Sequence, residues 1–128
     1  MKKIALVICL VLYSSVCFAA ELADMTIEQY IKMNTKKNTV MLKSFLSGVA
    51  DGIFYANIFN ATKNRNMFIC TEKMTSTIRN GTKMLFDTAL INNGKDWVKQ
   101  NANFNVSSAV TVMYSEIFPP SCINTVEN

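Results

Sequence analysis

The sequence predicts an all-α fold: a small single-domain bundle of four or five helices held by one disulfide. Three observations lead there. Apolar residues recur at steps of three and four along every strongly patterned stretch, the period of a helix with one inward stripe. Polar clusters rich in asparagine, glycine or proline cut the chain into helix-length pieces, and no hairpin turn sits between alternating runs. Two of the four cysteines lie beyond an amino-terminal targeting segment, an even number in an exported chain.

The targeting segment comes first. Lys2 and Lys3 precede an apolar run from Ile4 to Tyr13, followed by the small residues Ser14, Ser15, Cys17 and Ala19. This is the layout of a cleaved signal peptide over residues 1–19, with a core too short to span a bilayer. A lipoprotein signal acylated at Cys17 is the rival, and Val16 stands where that signal wants a small residue. The expected mature domain is residues 20–128, enough for one core and too little for two. It is expected in the periplasm, with no membrane segment after cleavage. Loss of Lys2 and Lys3 lowers the formal charge from +4 to +2. The remaining lysines are scattered, so no nucleic-acid surface is expected.

The first helix is expected from Thr26 to Met33, with Thr26 and Gln29 forming a capping box. Asn34 to Asn38 is a polar linker, and Asn38 or Thr39 caps the next helix. That next helix, Val40 to Phe59, is the central one. Leu42, Phe45, Leu46, Val49, Ile53 and Phe54 form its stripe, and Lys43 and Asp51 are its only charges. Gly48 and Gly52 weaken it locally, which suggests close approach by a neighbour. An internal helix crossing is favoured there over a homodimer contact. Asn60 to Asn66 is an exposed, cationic loop, and Met67 to Cys70 returns to the core.

A third helix is expected from Thr75 to about Ile91. Ile78, Leu85 and Ala89 face inward, Arg79, Lys83 and Asp87 outward, and Gly81 sits inside. Asn92 to Gly94 is a stop signal. Lys95 to Asn105 reads as one helical turn in a loop and holds the sole tryptophan, Trp97. A fourth helix carries Val106, Val110, Met113, Tyr114 and Ile117, capped by Asn105 or Ser107. Its β-branched density leaves a strand as the rival. Pro119 and Pro120 end it.

Cys70 and Cys122 then pair, closing a loop of about 53 residues and contributing about 4 kcal/mol on the chain-entropy account. A metal site is not expected, because the chain has no histidine and two isolated thiols do not make one. No cofactor motif occurs. Catalysis by serine or cysteine lacks a histidine base. Asp51 and Glu116, the acidic residues among apolar neighbours, would need a cleft between them to act as a carboxylate pair. The expectation is a protein that is not an enzyme. Binding is expected from exposed loops, through Arg65 and Asn66 in one and Lys95 and Trp97 in the other. Trp97 has an equal alternative as a cap on the open end of the bundle.

FLSGVADGI, FIC, a helix, the Trp97 segment, a last helix and FPPSC together resemble the Rap/Tai immunity family. The matching positions are Gly48, Asp51, Gly52, Phe68, Cys70, Phe118, Pro119 and Cys122. The resemblance implies a small exported helical protein that neutralises a cell-wall amidase injected through the type VI secretion system. It implies a secreted peptidoglycan amidase as partner. The opening stretch DMTIEQYIKMN is similar to the start of the Hde-type acid-stress chaperones of the periplasm, except that Ile27 stands where those carry a cysteine. That is the alternative expectation.

Overall fold

The computed structural model describes residues 24–63 and 65–120. The expected signal peptide, its cleavage site and Cys122 lie outside them. Among the described residues there are five α-helices and no strand: α1 (Ile27–Met33), α2 (Thr39–Thr62), α3 (Ser76–Asn80), α4 (Thr82–Gln100) and α5 (Val106–Ile117). Short 3-10 turns, Lys36–Asn38 and Thr71–Lys73, precede α2 and α3. The all-α expectation holds.

Helix α2 is the axis, packing against α3, α4 and α5. Leu42, Leu46, Ala50 and Ile53 are buried on it, and Phe45, Val49 and Phe54 pack at its margin. The stripe is therefore the one the spacing predicts. Tyr30, Ile69, Met74, Phe86, Val106, Val110 and Tyr114 complete the core. Met84 is 69% exposed.

Helix α1 begins with the predicted capping box: the Gln29 amide donates to Thr26 Oγ1, and the Thr26 amide donates to Gln29 Oε1. Its first turn is stitched to the segment before α5. The Ile27 and Glu28 amides donate to the Phe104 and Ala102 carbonyls, and the Val106 amide donates to the Met25 carbonyl. This buries Met25, which no periodic pattern flags. Asn38 does occupy the cap position of α2, but its side chain makes no capping bond there. It donates instead to the Met33 carbonyl, because the 3-10 turn folds it back over the end of α1.

The expected third helix is two. Thr75 caps α3 as predicted, its hydroxyl accepting from the Ile78 amide. Gly81 then takes a non-helical conformation, and α4 starts at Thr82. Within α4 the chain leaves helical geometry once more, at Gly94, with φ 80° and ψ 171°. That backbone region is open essentially to glycine alone. The predicted stop is real, yet helix resumes at once: the single turn expected within a loop is a helical run from Lys95 to Gln100. Helix α5 starts under Asn105, whose Oδ1 accepts from the Ser107 and Ser108 amides at 2.9 and 3.3 Å. It is a helix, not a strand, and it stops before the prolines.

The glycine pair is corrected by the structure. A Cβ built on Gly48 or Gly52 meets nothing within 4 Å among the described residues. No close helix crossing forms at either glycine among the described residues; Gly52 lines an open cleft between α2 and α5, with Ser107, Ser108 and Thr111 across it.

Candidate functional site

Three polar clusters lock the bundle, and together they leave one broad groove. Arg79, expected to point outward, turns inward under its aliphatic stem. Its Nε donates to Asp51 Oδ1 at 2.6 Å, its Nη1 to the Met74 carbonyl at 2.7 Å, and its guanidinium lies over the Phe54 ring. Asp51 is thereby committed to tying α2 to α3. Thr82 and Tyr114, both fully buried, meet at 2.7 Å between their hydroxyls and link α4 to α5. Burial raises the Tyr114 pKa, partly offset by the Thr82 hydrogen bond and by Arg79.

The third cluster centres on Asp87. Tyr30 donates its hydroxyl to Oδ1 at 2.6 Å, Asn34 donates to the same oxygen at 3.0 Å, and Lys83 donates to Oδ2 at 2.6 Å. Lys83 also donates to Asn34 Oδ1 at 2.8 Å. Desolvation drives the Tyr30 pKa far up, and the hydrogen bond to Asp87 and that residue's charge add to it. Lys83 and Asp87, expected to be solvent-facing, thus fasten α1 to α4.

Beyond that fastening, α1 and the second half of α4 diverge. Between them lies a groove of about 650 Å³. Among the described residues it is lined by Ile31, Leu90, Ile91, Val98 and Ala102 on its apolar surface, with Gly94 in its wall. Lys32, Lys95 and Lys99 stand on it, opposed by Glu28 alone. Glu28 pairs with Lys32 at 2.7 Å. Lys95 and Lys99 form no ion pair among the described residues.

The four residues expected to bind a partner separate. Lys95 is exposed on the groove. Trp97, two residues on, is half-buried against the core and lines a smaller cleft of about 150 Å³ with Phe86, Phe104 and Met113. Glu116 lines the same cleft. Arg65 and Asn66 are exposed on the α2–α3 loop and line neither cavity.

Sequence reasoning missed Asn57, Ile91 and Lys99. Asn57 is fully buried and accepts from the Phe68 amide at 2.9 Å, pinning the return segment of the loop to α2. The available signal was its place four residues after Ile53 on the apolar stripe. Ile91 carried the same kind of signal in reverse, an apolar residue beside a stop. Lys95 and Lys99 lie four apart, and only recognition of Lys95–Gln100 as helix puts them on one face.

Among the described residues, no helix is long and apolar enough to cross a membrane, and no cluster of three or more acidic, cysteine or histidine side chains could hold a metal. Comparison with protein-family models, with curated proteins and with solved structures finds no match to this chain.

Proposed function

We propose that this is a periplasmic immunity or inhibitor protein that binds and neutralises a secreted cell-wall amidase of the type VI secretion system. The observation that carries the reading is the groove between α1 and α4: a broad, apolar, cation-bearing concavity on a scaffold locked by buried hydrogen bonds. A preorganised concavity suits inhibition, because little ordering cost is left at binding. The likeness of the glycine-bearing helix and of the cysteine positions to the Rap/Tai family supplies the amidase. Export through a signal peptide over residues 1–19 and a Cys70–Cys122 bridge belong to the same proposal. Supporting the bridge, Cys70 is 2% exposed and its amide donates to the Phe118 carbonyl at 2.9 Å, four residues before Cys122.

The test is to look for a secreted peptidoglycan amidase in the neighbouring reading frame and to measure its inhibition by this protein. Stoichiometric binding and loss of wall cleavage are expected. An amidase that remains fully active in excess inhibitor would end the reading. Mass spectrometry of protein recovered from its own compartment tests the bridge, with a mass two daltons below the reduced form expected by the loss of two thiol hydrogens.

One observation favours the Hde-type chaperone as a second reading. Two of the three locks hang on carboxylates, Asp51 and Asp87. A chaperone of that type loosens at low pH and exposes apolar surface. Circular dichroism and apolar-dye binding between pH 7 and pH 2 decide it. A fold unchanged at pH 2 rules the chaperone out.

A further inference from the structure

The same groove carries information about the shape and charge of what enters it. Ile91 is 78% exposed and Ile31 44% exposed on its two sides. Side chains this wet form open walls, not the enclosure in which a small ligand buries most of its surface. Helix α4 contributes Leu90, Ile91, Gly94, Lys95, Val98 and Lys99 to this wall, on both sides of the Gly94 break, and Ala102 follows just past its end. Gly94 adds no side chain to it, and a Cβ there meets nothing within 4 Å, so a partner backbone can approach closely.

Charge fixes the rest. The lone carboxylate on the groove is already held by Lys32, while Lys95 and Lys99, one turn apart, form no ion pair among the described residues. An occupant that covers Ile31, Ile91 and Val98 therefore also has to answer two cations. A phosphate backbone answers cations but offers nothing to two exposed isoleucines and the half-buried Val98 beside them.

We propose that the groove receives an acidic amphipathic helix of a partner protein, its apolar stripe on Ile31, Ile91 and Val98 and its carboxylates beside Lys95 and Lys99. This is helix-in-groove recognition, read by anchors at steps of three and four. The inference rests on the binding reading above, and it names the partner's surface without needing the partner to be an amidase.

The experiment uses the full exported protein and three 14-residue helical peptides of identical leucine stripe, flanked by glutamate, by lysine or by glutamine. Binding is followed by calorimetry and by amide chemical shifts along α1 and α4. The glutamate peptide is expected to bind at least tenfold tighter than the lysine peptide, with affinity falling as salt rises. Lys95→Glu with Lys99→Glu is expected to invert that preference. Ile91→Asp, at a position already in water, is expected to weaken every peptide at least tenfold while leaving the melting temperature unchanged. Equal binding of the three peptides, or full affinity in Ile91→Asp, overturns the proposal. So does binding to phosphatidylglycerol vesicles in place of the peptides, which would make the groove a lipid surface. An amidase inhibited equally by the parent and by Ile91→Asp removes the groove and leaves the immunity reading standing. Charge-selective peptide binding without amidase inhibition does the opposite.

Discussion

Helices α2 and α4 each contain glycine where alanine would propagate the helix better, and the two helices respond in opposite ways. In α2, Gly48 and Gly52 keep helical geometry across a continuous run from Thr39 to Thr62. In α4, Gly94 turns the chain out of the helix, after Gly81 has already separated α4 from α3. Local propensity does not separate the cases. Tertiary support does. Around the α2 glycines, Leu46, Ala50 and Ile53 are buried on three sides by other helices, so the helix is held from its other face. Around Gly94 the neighbours Ile91, Asn92, Asn93, Lys95 and Asp96 are exposed, and nothing opposes the break. Gly94 lies in the wall of the groove.

The comparison can be broken most severely through the supported side of α2. Leu46→Ala removes a fully buried side chain from that face and is expected to cost about 2–5 kcal/mol in denaturant unfolding. A loss below about 1 kcal/mol would mean the face does not hold the helix. Gly94→Ala forces a side chain into a backbone region that glycine alone tolerates, at a cost of about 1–3 kcal/mol. Its amide shifts should change along the groove rather than in α2.

Thr82→Val tests the lock between α4 and α5, leaving the Tyr114 hydroxyl only its longer bond to the Ile78 carbonyl at 3.4 Å, at a cost of about 1 kcal/mol. The lock between α1 and α4 is tested by alkali. The Tyr30 pKa is raised in the folded state, so the neutral phenol it favours contributes stability in full below the ordinary tyrosine pKa, about 10, and that stability is lost as pH rises beyond it. A melting temperature flat up to about pH 10 and falling above it is expected. Tyr30→Phe should flatten part of the fall, leaving the portion due to Tyr114, whose pKa is also raised. The smallest effect has the opposite sign. Gly48→Ala and Gly52→Ala meet only open space and should each stabilise the protein by about 0.5–1 kcal/mol. A loss of stability at either would show a contact on that face, a second copy of the chain included, and size-exclusion chromatography would distinguish the dimer.

Much of this was legible in the chain. The α2 stripe, the Thr26 and Asn105 caps and the stop at Pro119 follow from periodicity and from side chains bonding within three residues, so sequence spacing determines them. The groove was only half legible. Lys95 stood out, but Ile91 and Lys99 join it only once α1 packs across α4. The inward turn of Arg79, Lys83 and Asp87 was not legible at all. Their spacing is that of a solvated face, and the partners that draw them in, Asp51, Tyr30 and Asn34, lie 28 to 57 residues away.

The sequence by itself determined that the described chain is helical and which side of α2 is buried, because both depend on patterns repeated every three to four residues. Tertiary structure alone decided that one glycine pair is idle inside a helix and another glycine is a corner. It also decided which charges become locks and which remain on the groove. Those outcomes depend on groups brought together from distant parts of the chain, and no local pattern encodes a distance through space.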